Sequence, residues 1–203
     1  MSLPRLLIAT NNQGKFHEYT QMLADLPIEI VSPRVLGINL AVEEAALTFY
    51  GNATLKAHAY GCASSLWTLA DDSGLEVDAL GGAPGVRSAR LAGPDASDQA
   101  NVALLLASLD GVPCPQRTAR FRCAIALADA CGPIILSEGT CEGYIALRPA
   151  GTHGFGYDPV FWLPDRSLTM AQLSPAEKNR LSHRAAALAS IRPALLAILP
   201  TAP

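Results

Sequence analysis

An apolar run, Leu69-Ala70, gives way at once to Asp71-Asp72-Ser73-Gly74-Leu75. Adjacent carboxylates repel, and burying either is costly unless a cation stands near. A divalent metal or a phosphate–metal complex would meet that cost. A polar turn closing a strand is the plain alternative, because Asp, Ser and Gly are ordinary turn residues.

Three further groups carry chemistry. Thr10-Asn11-Asn12-Gln13-Gly14-Lys15 leads from an apolar strand into a helix. A turn at a helix start presents N–H groups and a positive dipole end, which suits a phosphate, and Lys15 adds a point charge. The glycine spacing is not that of a Walker loop. Gly154-Phe155-Gly156-Tyr157-Asp158-Pro159 combines glycines, which let a backbone approach a ligand, with two aromatics, either of which could stack on a base. Lys178 is followed by Ser182-His183-Arg184. On one continuous helix Lys178 and His183 would sit about 140° apart. A break with Ser182 capping a second helix brings His183 and Arg184 into its first turn. There a cation opposes the dipole and has no obvious structural role, which hints at a ligand. A carboxylate pair, Glu43-Glu44, lies in an irregular stretch and by itself reads as solvated. Taken together, these groups supply carboxylates for a metal, lysines for phosphates, an aromatic for a base and His/Arg for base edges.

The elements that must position them follow from periodicity. Strands are expected over 6–10, 28–31, 66–70 and 75–80, the last two flanking the carboxylates, and over 121–127, 134–136 and 144–147 as antiparallel neighbours. After a turn at Asn12-Gln13-Gly14, helices are expected from Phe16 through Leu26, over 48–65, over 99–109, from Ser174-Pro175-Ala176-Glu177 (cap, N1 proline and N3 glutamate), and over 185–199 with an interruption near Pro193. Alternating strands and helices indicate an α/β fold with a mixed sheet.

At 203 residues, half of them hydrophobic, the chain is expected to form one domain spanning 1–203, with room for two lobes. The net charge of −3 leaves no polybasic footprint, so neither a nucleic-acid polymer nor an anionic membrane is an expected partner. Five cysteines (Cys62, Cys114, Cys123, Cys131, Cys141) without a CxxC pair read as free thiols in a reducing cytoplasm. The N-terminal apolar run breaks at Asn11 and is read as neither a signal peptide nor a membrane span. Of the 15 basic residues only Lys15, Lys56 and Lys178 are lysines, which marks them for tasks needing a compact ammonium.

The segments ATNNQGKFHE, EEAALTFYGNATLKAHAY, ADDSGLEVDALGGAPGVRSAR, PAGTHGFGYDPVF and SPAEKNRLSHRAAAL resemble, in order, the inosine/xanthosine triphosphate pyrophosphatases. The resemblance spans nearly the whole chain. It implies a long central mixed β-sheet with flanking helices in two lobes around a nucleotide-binding cleft, a homodimer, and Mg²⁺-dependent cleavage of non-standard purine nucleoside triphosphates (ITP, dITP, XTP) to monophosphate and pyrophosphate. It implies that Thr10, Asn11, Asn12, Gln13, Gly14 and Lys15 hold the triphosphate. Asp72 becomes proton acceptor and metal ligand, and Ser73 touches substrate. Phe155, Gly156, Tyr157 and Asp158 cradle the base beside Lys178, while His183 and Arg184 read its edge. Ala45-Ala46, Gly51, His153 and Ala185 depart from the family pattern. The first departure blurs which glutamate faces the metal: Glu44 is favoured, and Glu43 is kept. Two other functions compete: a nucleotide-sensing module that binds without cleaving, and a pyrophosphatase for a pyrimidine or modified thymidine triphosphate.

Overall fold

The computed structural model describes residues 3–129, 132 and 134–198; Cys131 and Leu199 lie outside that set. Among the described residues seven strands form one sheet in the order β2-β1-β3-β4-β5-β6-β7. They are β1 (Arg5–Ile8), β2 (Glu29–Val31), β3 (Trp67–Val77), β4 (Thr118–Ala128), β5 (Ile135–Ile145), β6 (Phe161–Leu163) and β7 (Leu168–Thr169). β1 pairs in parallel with β2 and β3, whereas β5–β6 and β6–β7 are antiparallel, so the sheet is mixed. The helices are α1 (Gln13–Met22), α2 (Phe49–Ser64), α3 (Asp98–Ser108), α4 (Pro175–Leu181) and α5 (His183–Ile198). No helix among the described residues is long and apolar enough to cross a membrane.

The chain divides into two compact units. The first holds the described residues of Met1–Asp72, Cys123–Gly139 and Arg184–Pro203; the second holds Ser73–Arg122 and Thr140–His183. In the first unit, Leu6 and Ile8 of β1, Tyr19 of α1 and Leu23 at its C-cap, Leu69 of β3, Ile125 and Leu127 of β4, and Leu188, Ile191 and Leu195 of α5 form one apolar cluster. Two of its helices, α1 and α2, start on side-chain caps. Asn12 Oδ1 accepts from Lys15 N at 3.0 Å, and Thr48 Oγ1 accepts from Gly51 N at 3.1 Å. In the second unit, Leu75, Val77, Leu105, Leu109, Phe121, Val160, Phe161 and Met170 lie in another cluster. Here α4 begins with the expected capping box: Ser174 Oγ accepts from Glu177 N, and Glu177 Oε2 accepts from Ser174 N at 3.0 Å. Ser182 is extended (φ −71°, ψ 157°) and separates α4 from α5, as the sequence anticipates.

Three elements differ from expectation. The carboxylates do not sit in a turn: β3 runs unbroken through Asp71-Asp72-Ser73, and the chain leaves the strand only after Val77, where Asp78–Leu80 form a 3₁₀ turn. Strand alternation sends adjacent side chains to opposite faces, which separates the two charges and gives each its own partners. β5 is one strand of 11 residues rather than two short ones. Its buried positions include Ser137, Gly139, Cys141 and Gly143, so its inward face carries too little apolar signal to be read as a strand. α5 continues through Pro193 although proline removes a helix hydrogen bond. Ile191 and Leu195 are buried on either side of it, and core packing holds the helix together.

Gly143 shows how tightly β5 meets β6. A Cβ there would lie 2.6 Å from the Trp162 carbonyl oxygen and 2.7 Å from the Phe161 ring. Gly143→Val is expected to destabilise the protein by roughly 1–3 kcal/mol, the cost of overpacking. Urea denaturation with an unchanged m-value would check this, and an equal midpoint would show that the strand can shift.

Candidate active site

In the first unit the turn after β1 is tied by short-range bonds: Thr10 Oγ1 accepts from Asn12 N at 3.1 Å, and Asn12 caps α1. Asn11 Nδ2 reaches Tyr60 Oη of α2 at 3.5 Å. Gln13 and Gly14 form the first turn of α1, and Lys15 sends its ammonium to Asp71 Oδ2 at 2.9 Å. Arg184 of α5 approaches the same oxygen through Nε and Nη2, both at 3.4 Å, while its Nη1 is bonded to Glu18 Oε2. Burial alone would raise the Asp71 carboxyl, but Lys15, Arg184 and Lys56 outweigh it and hold the group well below the usual carboxylate range.

Asp72, the next residue, has different company. Asn52 Nδ2 donates to its Oδ2 at 3.0 Å, and Lys56 Nζ meets its Oδ1 at 3.2 Å. Lys56 also binds Glu44 Oε1 at 2.8 Å, so one ammonium draws two carboxylates together. Glu43 is exposed, and no contact joins it to Asp72 or Lys56. Burial pushes the Asp72 carboxyl up, with Lys56 and Lys15 only partly offsetting it. Burial would lower Lys56, yet Asp72, Asp71 and Glu44 raise it, so it stays a cation. Two neighbouring carboxyl groups with opposite shifts are a mark of divided labour: one stays ionised as a fixed charge, the other is the stronger base.

In the second unit, Lys178 Nζ bonds Asp158 Oδ2, and Phe155 N donates to that oxygen at 2.9 Å. The Lys178 ammonium also lies 4.6 Å from the Phe155 ring centroid. Gly154 has φ +77° and its Cβ position would collide with the Asp158 carboxylate, so the loop requires glycine there. Gly156 N donates to Asp98 Oδ2 at 2.7 Å, and the buried Tyr157 donates its hydroxyl to Ser88 O at 2.8 Å. Tyr157 is therefore spent on the loop, whereas Phe155 is half-buried. His183 stacks on Phe121, with ring centroids 4.8 Å apart. Ser73 is half-buried on β3 directly after Asp72.

A family model described as the Ham1 family matches residues 6–194. The chain belongs to the Ham1 family. It is 51% identical over 189 residues to the dITP/XTP pyrophosphatase of Geobacillus kaustophilus, covering 93% of each chain. It is 49% identical over 197 residues to that of Methylococcus capsulatus, covering 96% of this chain and 97% of the relative. The fold is similar to the Ham1 protein of Coxiella burnetii, with TM-score 0.86, 38% identity and coverage of 96% and 100%. It is likewise similar to that of Staphylococcus aureus, with TM-score 0.84, 39% identity and coverage of 95% and 98%.

In this Ham1-family chain the donor set fits Mg²⁺ in one specific sense. Among the described residues no three His, Cys, Asp or Glu side chains gather to hold a metal by themselves. Asp72 and Glu44 are two carboxylates already drawn to one cation, and Mg²⁺ commonly takes one or two carboxylates with the rest of its shell from phosphates and water. The sequence marks Lys56 only as one of three rare lysines and gives Asn52 no role. They stand four apart on α2, on one helix face, and that spacing is the signal that could have found them. Glu18 was missed too, although it follows Lys15 by three residues on α1.

Arg184 requires a correction. The sequence suggests a cation without a structural role; instead its side chain is 1% exposed and held between Glu18 and Asp71. Arg184→Ala would leave two buried carboxylates under-compensated, and is expected to cost about 3–5 kcal/mol of stability. Thermal and urea unfolding would check this; a loss under about 1 kcal/mol, the range of a surface pair, would show that the ion pairs carry little.

Proposed function

We propose that this chain hydrolyses ITP, dITP and XTP to the monophosphate and pyrophosphate, and so clears non-standard purine nucleotides from the pool used for DNA and RNA. The observation that carries this reading is Asp72. It is a buried carboxyl of raised basicity beside Glu44, with both carboxylates drawn to Lys56. The names of the Geobacillus and Methylococcus relatives, at about half identity over nearly the full chain, support the substrate class.

The 203 residues are taken as one catalytic domain with the following division of labour. The turn Thr10–Lys15 receives the triphosphate on helix N–H groups and the Lys15 ammonium. Asp72 and Glu44 hold Mg²⁺, which supplies charge neutralisation at the phosphates; Glu43 is dropped in favour of Glu44, which alone reaches Lys56. Asp72 takes a proton from the water that attacks the α-phosphorus, where a new P–O bond forms as the bond to the bridging oxygen breaks. Asn52 and Lys56 keep that carboxylate oriented. Ser73 lies one residue on and is assigned to substrate contact. Phe155 stacks on the base, with Gly156, Tyr157 and Asp158 shaping the loop and Lys178 beside them. His183 and Arg184 read the base edge, Arg184 from a guanidinium already fixed by Glu18 and Asp71. A donor matched to a 6-keto oxygen is left unpaired opposite the 6-amino group of adenine, and that cost is the basis for rejecting ATP. The working form is proposed to be a cytoplasmic homodimer.

Pyrophosphate and orthophosphate release, measured separately over a nucleotide panel with and without EDTA, tests the reading. Pyrophosphate from ITP, dITP and XTP is expected, far above ATP and GTP, and EDTA should abolish it. Binding without turnover would indicate a sensing module. Preference for a pyrimidine triphosphate would move the substrate class.

Asp72→Asn is expected to lower kcat by about 10²–10⁴, the usual contribution of a general base. Nucleotide binding should change far less, since the lost step belongs to the transition state. Stopped assays with equilibrium binding separate the two. Turnover within a few-fold of the parent would move the base to Asp71 or Glu44.

A further inference from the structure

Four charged side chains of the first unit form a continuous chain: Glu18 to Arg184, Arg184 to Asp71, and Asp71 to Lys15. Their formal charges sum to zero. Arg184 and Asp71 are almost wholly enclosed, Glu18 is buried, and the Lys15 side chain is 15% exposed, so the chain runs from the interior outward to one ammonium. Every bond to the Asp71 carboxylate arrives at Oδ2, including a long one from Cys123 Sγ at 3.8 Å, whereas Oδ1 is buried without a hydrogen-bond partner among the described residues. Asp71 is thus oriented by what holds it rather than by solvent. The Tyr19 ring lies alongside, 5.9 Å from the Arg184 guanidinium carbon. A lysine ammonium on a flexible four-carbon stem is a poor fixed charge by itself. Bonded to an enclosed carboxylate, it has one place to be.

We infer that Glu18, Arg184 and Asp71 are a buried relay that positions Lys15 for the phosphates of the substrate. Glu18 and Asp71 are positioning residues in it and touch neither substrate nor metal. Glu18 orients the guanidinium, the guanidinium orients Asp71, and Asp71 sets where the Lys15 charge stands. The inference rests on the reading of Lys15 as a phosphate ligand, and its test separates the two.

The test is a double-mutant cycle read on inorganic pyrophosphate, which carries the phosphate chemistry without a base. Pyrophosphate affinity is measured by calorimetry, in the presence of Mg²⁺, for the parent, Lys15→Met, Glu18→Gln and the double variant, each checked for folding by circular dichroism. Lys15→Met should weaken binding by about tenfold or more; if it does not, the phosphate role of Lys15 fails whatever Glu18 does. Glu18→Gln should weaken binding by about fivefold in the parent and by less than about twofold in the Lys15→Met background, a coupling of the size interacting residues show. A merely structural Glu18 would lower affinity equally in both backgrounds, or not at all, and either result overturns the relay. If Glu18→Gln does not fold, the same cycle run with Asp71→Asn carries the same two outcomes.

Discussion

Two adjacent carboxylates inside a buried strand are the constraint on which the rest of this structure depends. A carboxylate taken from water must find a cation or give up its charge. In β3 neither Asp71 nor Asp72 is at a surface, and the alternation of the strand forbids them from sharing one partner set. The fold answers with helices that each bring a cation: α1 brings Lys15, α5 brings Arg184, and α2 brings Lys56. The placement of those helices is thus an electrostatic requirement as well as a matter of apolar packing. Their apolar residues, Phe16 and Tyr19 on α1 and Leu188 and Ile191 on α5, give the helices a seat in the same unit.

The opposite shifts of the two carboxyl groups follow from this arrangement. Asp71 is enclosed by two cations and an additional donor, and becomes a permanent anion. Asp72 has an amide and one ammonium that it shares with Glu44, so burial prevails and its proton affinity rises. Asn52 holds two segments at once. Its Nδ2 donates to Asp72 while its Oδ1 accepts from Ala46 N at 2.9 Å, two residues beyond Glu44. A single buried amide therefore ties the irregular Glu44 segment to the strand. This explains how a stretch without regular structure delivers a carboxylate to a defined place.

Much of this was legible in the sequence wherever local chemistry decides the outcome. The box at Ser174-Glu177 and the break at Ser182 are written in a few residues each, and the structure has them. The α/β order and mixed sheet followed from periodicity. Legibility failed where tertiary partners override local signals. Asp71-Asp72 reads as a turn because nothing nearby in sequence announces Lys15, 56 residues before Asp71 along the numbering, or Arg184, 113 residues beyond it. β5 reads as two fragments because its buried positions hold Ser137, Gly139, Cys141 and Gly143, which carry no strand signature; Gly143 is required by the close approach of Phe161 and Trp162, and Ser137 Oγ donates to Ala187 O. Pro193 suggested a helix break that core packing does not permit. At the site, Glu44 was preferred over Glu43 from the sequence, and the geometry adds a physical reason. The position of Arg184 in a first helical turn suggests a ligand, and two buried carboxylates account for it as well.

The scarcity of lysine carries the last step. All three lysines of the chain are paired with carboxylates: Lys15 with Asp71 and Lys56 with Asp72 and Glu44 in the first unit, Lys178 with Asp158 in the second. Arginine does the structural pairing elsewhere, as Arg120 does with Asp78 and Glu142. The two side chains suit different tasks. A guanidinium offers a planar fork that locks onto one partner, whereas an ammonium donates in three directions and is shared without changing its geometry. Lys56 already demonstrates sharing, between Glu44 and Asp72. For a protein of net charge −3 that is proposed to take a polyanion, such lysines resolve a conflict. Cations strong enough to hold a triphosphate would be a burden if buried alone. Cations already compensated by carboxylates are tolerated by the fold and retain donors for a phosphate.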